Sequence, residues 1–259
     1  MATLDVIAQL DWNPRYAGTS HEDATARAMG FRGALLPGVF VYGHAMRLAV
    51  REWGLDWLSR GTAQVRFRRP VYAGDPLRVE CAATGPDRPV TVRNTATDEV
   101  VLDGSFGLAE PAAPPALPLL ATLDPRLVLA AGAVPVGLHL GAAETILDQP
   151  HVAQSLAEFH ETETIYADHG LIHSGCLIRK TMGDALGNLT LPMPVIFAGL
   201  TVHNLAPAPV GARYRTSARI TRAWEARGKH FFETDEWLLA SGRPVARHIR
   251  QNLYAMDTP

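Results

Sequence analysis

Two stretches of the chain carry apolar side chains around most of a helical turn, and each is entered through a glycine turn. In the first, residues 38–53, Val39, Tyr42, Ala45, Met46, Leu48, Ala49, Val50 and Trp53 leave only Arg47, Arg51 and Glu52 for solvent. A helix apolar over so much of its surface is buried, usually under a sheet. Pro37 suits the start of such a helix, and Gly54 suits a left-handed stop after Trp53. The second stretch, 176–186, is opened by residues 170–175 and ends near Gly187-Asn188.

Alternation with a period of two marks the strands around these helices. In the first half they are expected at 3–10, 63–67, 77–83, 90–94 and 100–108, the last two joined by a hairpin at Thr97-Asp98. In the second half they are expected at 138–146, 195–205, 212–226, 230–239 and 245–254. Short helices are expected at 20–29, with Ser20 as N-cap and Asp23 in the first turn, and at 151–159. Residues 119–131 also read as helical. Between the halves, the proline-rich run 110–118 reads as a stiff extended linker.

Composition changes this picture little. Of 259 residues, 47% are hydrophobic and 19% charged, which suits a globular protein with a large core. The formal net charge is −2 with both signs interspersed, so no nucleic-acid footprint or polybasic membrane patch is expected. Cys81 and Cys176 match no metal spacing and are expected buried and reduced. The start Met-Ala-Thr-Leu-Asp-Val-Ile has no signal-peptide pattern and no run is long enough to span a membrane, so a cytoplasmic location is expected.

Internal repetition is stronger evidence. Gly33 and Gly170, Gly38 and Gly175, Pro70 and Pro207, and Gly74 and Gly211 are each 137 positions apart. Each half then reads as strand, short helix, glycine turn, buried helix and about four antiparallel strands.

The motifs His21-x-Asp23, Gly30-Phe31-x-Gly33, Pro37-Gly38 and Val65-x-Phe67-x-x-Pro70-Val71-x-x-Gly74-Asp75 resemble those of MaoC-like acyl-thioester hydratases and dehydratases. Gly170-x-Ile172-His173, Ala206-Pro207-x-x-x-Gly211 and 242–247 resemble the C-terminal half of two-repeat members. The resemblance implies an α+β double hot-dog fold: an N-terminal repeat over 1–108, a connecting segment over 109–137 and a C-terminal repeat over 138–259. It implies acyl-CoA or acyl-carrier-protein thioesters as substrates and no metal or redox cofactor. Self-association to a homodimer is left open.

Family hydratases carry Asp-x-Asn-Pro-x-His about nine residues before Gly-Phe. Gly30-Phe31 places the family His on His21 and the family Asp on Tyr16; in a second register Asp11-Trp12-Asn13-Pro14 supplies the Asp-x-Asn-Pro. The candidate catalytic residues are therefore His21, with Asp23 orienting it, and His173, which the implied fold turns toward the groove between the halves. Glu158 and His160 occupy the repeat positions of His21 and Asp23. For binding, the candidates are the Gly38 and Val39 amides, which suit a polarised thioester carbonyl, together with Tyr16 and Tyr42. His44 reads as a core group, Asp75 as a turn residue, and Arg66, Arg68 and Arg69 as a solvated face or phosphate contacts. The expected reaction is reversible addition of water to a 2-enoyl thioester. The alternatives are a repurposed hot-dog enzyme (cyclase, isomerase or thioesterase) and a non-catalytic acyl-thioester binding protein.

Overall fold

The computed structural model describes residues 1–110 and 113–257. The first half comprises β1 (Ala2–Ile7), α1 (Asp23–Ala28), α2 (Gly38–Trp53), α3 (Leu55–Arg60), β2 (Gly61–Phe67), β3 (Pro76–Cys81), β4 (Asp87–Asn94) and β5 (Glu99–Leu108). The second half opens with β6 (Leu127–Val128), β7 (His139–Leu140), β8 (Thr145–Ile146), α4 (Gln149–Glu158), α5 (Ile165–Asp168) and α6 (Ser174–Leu186). It closes with β9 (Leu189–Thr190), β10 (Ile196–Asn204), β11 (Arg213–Ala226), β12 (Lys229–Ala240) and β13 (Arg243–Met256).

One antiparallel sheet runs through both halves in the order β1-β3-β4-β5-β2-β10-β13-β12-β11-β7, with β8 also on β11. The halves meet where β2 pairs β10, from Arg66 opposite Gly199 to Thr62 opposite His203. Joining there removes an edge strand from each half, which would otherwise present unpaired backbone groups. The sheet wraps α2 on one side of this seam and α6 on the other, and the two helices touch. Every residue of α2 from Val39 to Val50 is buried. A side-chain bond reinforces the seam: Asn204 Nδ2 donates to the Trp57 carbonyl at 2.7 Å. That oxygen also receives the Gly61 N–H, so Asn204→Ala should lower stability by only about 1 kcal/mol, read as a lower urea midpoint.

Several expectations are corrected. Arg47 is not solvated; it is 5% exposed, its Nε 3.1 Å from Glu161. Ser20 does not cap α1, whose first turn has no side-chain cap; its carbonyl instead accepts the Leu35 N–H, and Ser20 turns inward. Residues 119–131 form no helix. Pro125 falls in its interior and breaks it, and the carbonyls of Pro118, Leu119 and Leu120 are taken by Ser217 and Arg215 of β11. The expected strand at 138–146 is two short pieces on β11. Of the linker 110–118, residues 111 and 112 lie outside the described residues, and 113–118 have no helix or strand. Both cysteines are free and buried.

The repeat is present, with slippage. Gly74 and Gly211 both take positive φ, +89° and +82°, and their N–H groups bond Ala8 and Leu147 respectively. The left-handed residue after α1 is Gly30, not Gly33, and its counterpart after α5 is Gly170. Gly38 is the first residue of α2, whereas Gly175 is the second of α6.

Candidate active site

A cavity of about 330 Å³ opens at the start of α2. Pro37, Gly38 and Val39 form its helical end, Ser20 and His21 stand beside them, and Phe67 enters from β2. The second half supplies the remaining wall through Met182 of α6, Phe197 of β10, Phe231 of β12 and Asn252 of β13. Arg68, Arg69 and Lys229 stand at its exposed edges. Both arginines are paired with carboxylates, Arg68 with Asp103 at 2.8 Å and Arg69 with Glu99 at 3.2 Å.

The α2 end is built to leave amides free. Helical bonding starts with the Phe40 N–H on the Pro37 carbonyl at 2.8 Å, so the Gly38 and Val39 N–H groups have no partner among the described residues. They carry the positive end of a four-turn helix dipole. A Cβ at position 38 would sit 3.2 Å from Phe67 Cε1 and 3.3 Å from Phe197, tight enough to press on both rings. The Phe67 and Phe197 rings lie 4.9 Å apart and flank the amides.

His21 Nδ1 lies 2.8 Å from the Leu35 carbonyl oxygen. A carbonyl only accepts, so the neutral ring carries its proton on Nδ1 and leaves a lone pair on Nε2. Burial lowers the imidazole's affinity for a second proton; the bond to Leu35 works against this, the Arg15 charge works with it, and the net shift is downward. His21 is thus an uncharged proton acceptor at neutral pH.

The structure brings His21, Gly38 and Val39 together and sends the other candidates elsewhere. Asp23 does not orient His21. Its Oδ1 accepts the Ala34 N–H at 2.7 Å, its carboxylate pairs with Arg27, and it braces the turn that leads into α2. Tyr16 is buried behind His21, edge-on with ring centroids 5.4 Å apart, outside the cavity lining. Tyr42 is sealed in the core against Phe106, its hydroxyl without a partner, and burial pushes its pKa up. It faces the sheet because it lies on the α2 surface turned from the cavity.

His173 is also corrected: it is 0% exposed and reaches no groove. Its Nδ1 accepts the Gly175 N–H at 3.2 Å, capping α6, and its Nε2 bonds Glu161 at 3.0 Å. A Cβ at Gly43 or Gly175 would collide with the Phe159 ring, which fills the space at the start of α6. The amide that is free on α2 is consumed on α6, and the room beside it is occupied. Glu158 is held by Arg15, Arg179 and Asn13, and His160 pairs with Asp11 at 3.3 Å. His44 is buried with Nδ1 unpartnered, and burial pushes it down to about 4.

Ser20, Phe197 and Asn252 were not foreseen as site residues. Proximity to His21 was a usable signal for Ser20. Phe197 and Asn252 had none, since they reach the α2 end only through the β2–β10 pairing. Among the described residues no carboxylate lines the cavity, and no group of three or more His, Cys, Asp or Glu is placed to hold a metal. No described helix is long and apolar enough to cross a membrane.

No protein-family model matches the sequence, and no curated protein is significantly similar to it. Solved structures do match in shape. A Chloroflexus aurantiacus J-10-fl protein assigned as a MaoC-domain dehydratase aligns over 94% of this chain and 88% of its own, with 16% identity and a TM-score of 0.63. A conserved hypothetical protein of Mycobacterium tuberculosis described as a double hot-dog aligns over 98% and 96%, with 16% identity and a TM-score of 0.64. The dehydratase domain of PpsC from the same organism, solved with C12:1-CoA, aligns over 98% and 93%, with 13% identity and a TM-score of 0.54. With one sheet wrapping two central helices, and these neighbours matching over nearly its whole length, the chain has the double hot-dog fold that MaoC-like dehydratases share.

Proposed function

We propose that the protein is an acyl-thioester hydratase or dehydratase that interconverts 2-enoyl and 3-hydroxyacyl thioesters. One observation carries this reading: an uncharged imidazole with a free Nε2 stands at the same apolar cavity as two unpaired helix-terminal amides. The acyl-CoA bound by one structural neighbour supports a thioester as the occupant.

In the dehydration direction, the thioester carbonyl oxygen accepts from the Gly38 and Val39 N–H groups. His21 Nε2 takes the C2 proton, and the electron pair moves onto that oxygen, where the amides and helix dipole hold the charge. The enolate then collapses, the C2=C3 bond forms and the C3–O bond breaks. The proton on His21 passes to the departing hydroxyl, which leaves as water. Hydration is the reverse. With no carboxylate among the described residues of the cavity wall, His21 carries the proton both ways.

The lack of a carboxylate among the described residues of the wall also favours one other reading, a double-bond isomerase in which His21 moves a proton between C4 and C2. Incubation with a 2-enoyl thioester, followed by absorbance and mass, separates the outcomes. Loss of enoyl absorbance with a gain of one water supports the hydratase. Loss without a mass change supports the isomerase, free acid a thioesterase, and an unchanged bound ligand a binding protein. In the same assay Gly38→Ala, whose methyl pushes between Phe67 and Phe197, should raise KM about tenfold.

A further inference from the structure

Glu158 stands 137 positions after His21, the spacing of the repeat, and His160 stands as far after Asp23. Neither lines the cavity. Both instead reach across to the first-half loop that leads to His21. Asn13 Nδ2 donates to Glu158 Oε1 at 3.1 Å, Arg15 donates to Glu158 Oε2, and His160 lies 3.3 Å from Asp11. On the second-half side Glu158 accepts from Arg179 of α6 and from Gln154 Nε2 at 3.3 Å. Burial raises the Glu158 carboxyl, but the Arg179 and Arg15 bonds outweigh it and hold it low, so it is ionised at neutral pH. Arg15 keeps 40% of its side chain exposed, and a pair so open to water adds little to fold stability. Placement is its larger consequence.

The contacts run on from Glu158 to the imidazole. Asn13 Oδ1 accepts the Arg15 N–H at 3.1 Å and so caps a tight turn over Pro14–Tyr16. The Tyr16 carbonyl accepts from the Thr19 N–H at 3.0 Å and from the Thr19 hydroxyl at 2.7 Å. That hydroxyl oxygen in turn accepts the His21 N–H at 3.1 Å. The Arg15 guanidinium lies over the Tyr16 ring, 5.2 Å from its centroid, and Tyr16 meets the His21 ring edge-on. The other charged groups near His21 are engaged or peripheral. Glu22 accepts from Gly18 and Thr25, and Asp23 from Ala34. Arg68, Arg69 and Lys229 stand at the exposed edges of the cavity. Burial first and the Arg15 charge second disfavour another proton on His21, against the Leu35 bond.

We infer that Glu158 is a positioning residue for His21: at the repeat position of the base, the second half carries the group that holds Arg15 and the loop 11–16 beside the imidazole. This rests on the thioester reading above for the role of His21 as base. An NMR titration of the His21 ring, assigned with His21→Gln, tests the placement without turnover. The His21 pKa should rise toward 6.5 by about half a pH unit in Arg15→Gln, which removes a like charge partly screened by water. It should rise equally in Glu158→Leu, which releases Arg15. Arg15→Lys keeps the charge and the pairing and should hold the wild-type value. Arg15→Gln leaves the Glu158–Arg179 pair whole, so the test survives if the leucine variant misfolds. The acid limb of 2-enoyl thioester turnover should move with the ring. An unmoved His21 pKa in Arg15→Gln or in folded Glu158→Leu, or an equal rise in Arg15→Lys, would overturn the inference and leave the thioester reading standing. A raised His21 pKa with an unmoved acid limb, or with no turnover at all, would overturn the thioester reading and leave the placement standing.

Discussion

His21→Gln should lower turnover of a 2-enoyl or 3-hydroxyacyl thioester by about 100-fold or more, with KM and thermal stability close to wild type. Glutamine keeps a side-chain donor for the Leu35 carbonyl, the bond that His21 Nδ1 now makes at 2.8 Å, so the loop keeps its place. What it lacks is a basic nitrogen at the Nε2 position. The pH profile of the wild type follows from the same geometry. The active form is the neutral imidazole, and burial lowers its pKa below 6.5. Activity should therefore be flat above pH 6.5 and fall tenfold per unit only once pH drops below the lowered value. The glutamine variant should lose that acid limb. A wild-type profile with its acid limb above pH 6.5, or a variant of undiminished rate, would remove His21 from the mechanism.

Glu161→Leu should lower folding stability by about 3–5 kcal/mol, through loss of one partner of a buried charge pair. Glu161 answers two elements at once, Arg47 of α2 and His173 at the start of α6, and both partner side chains are buried. Arg47 also donates to the Phe159 and His160 carbonyls that end α4, so the unpaired guanidinium cannot swing out to water without undoing that contact. Urea unfolding reads the loss. The Arg47→Leu/Glu161→Leu double variant should recover part of it, and the cycle gives the coupling directly. Acid titration is an independent check. Burial pushes the Glu161 carboxyl up, but the His173 bond and the nearby positive charge outweigh it and hold it down at about 2. A group depressed in the folded state stabilises above its unfolded value and loses that contribution as pH falls, here from about 4.5 toward 2. The variant should lack this part of the acid loss. His44, pushed down to about 4 by burial, favours the unfolded chain earlier, as pH falls below 6.5, and should do so in both proteins. None of these residues lines the cavity, so the folded fraction of the Glu161 variant should keep its activity.

These two outcomes separate what was readable along the chain from what was not. The α2 helix, the alternating strands and the two-fold pattern were legible because they rest on short-range periodicity and on turns that demand glycine, as at Gly74 and Gly211. The amides at Gly38 and Val39 were legible for the same reason, since any helix start leaves its first N–H groups unpaired. His21 stood out through a motif resemblance.

Partnership was not legible. Arg47 reads as solvent-facing on its own helix and is buried because Glu161, 114 positions later, is brought against it. Asp23 reads as the partner of His21 two residues away, yet local spacing does not fix side-chain direction, and the Ala34 amide takes it instead. The two buried helices read as twins. Only packing shows one end open and the other filled by Phe159 with its amide spent on His173. The sequence by itself determined the elements, their doubling and the free amides, because these depend on residues within a turn or two. The tertiary structure decided which helix end holds a cavity, and that its far wall comes from Phe197 and Asn252, because strand pairing across β2 and β10 joins residues that no local pattern relates.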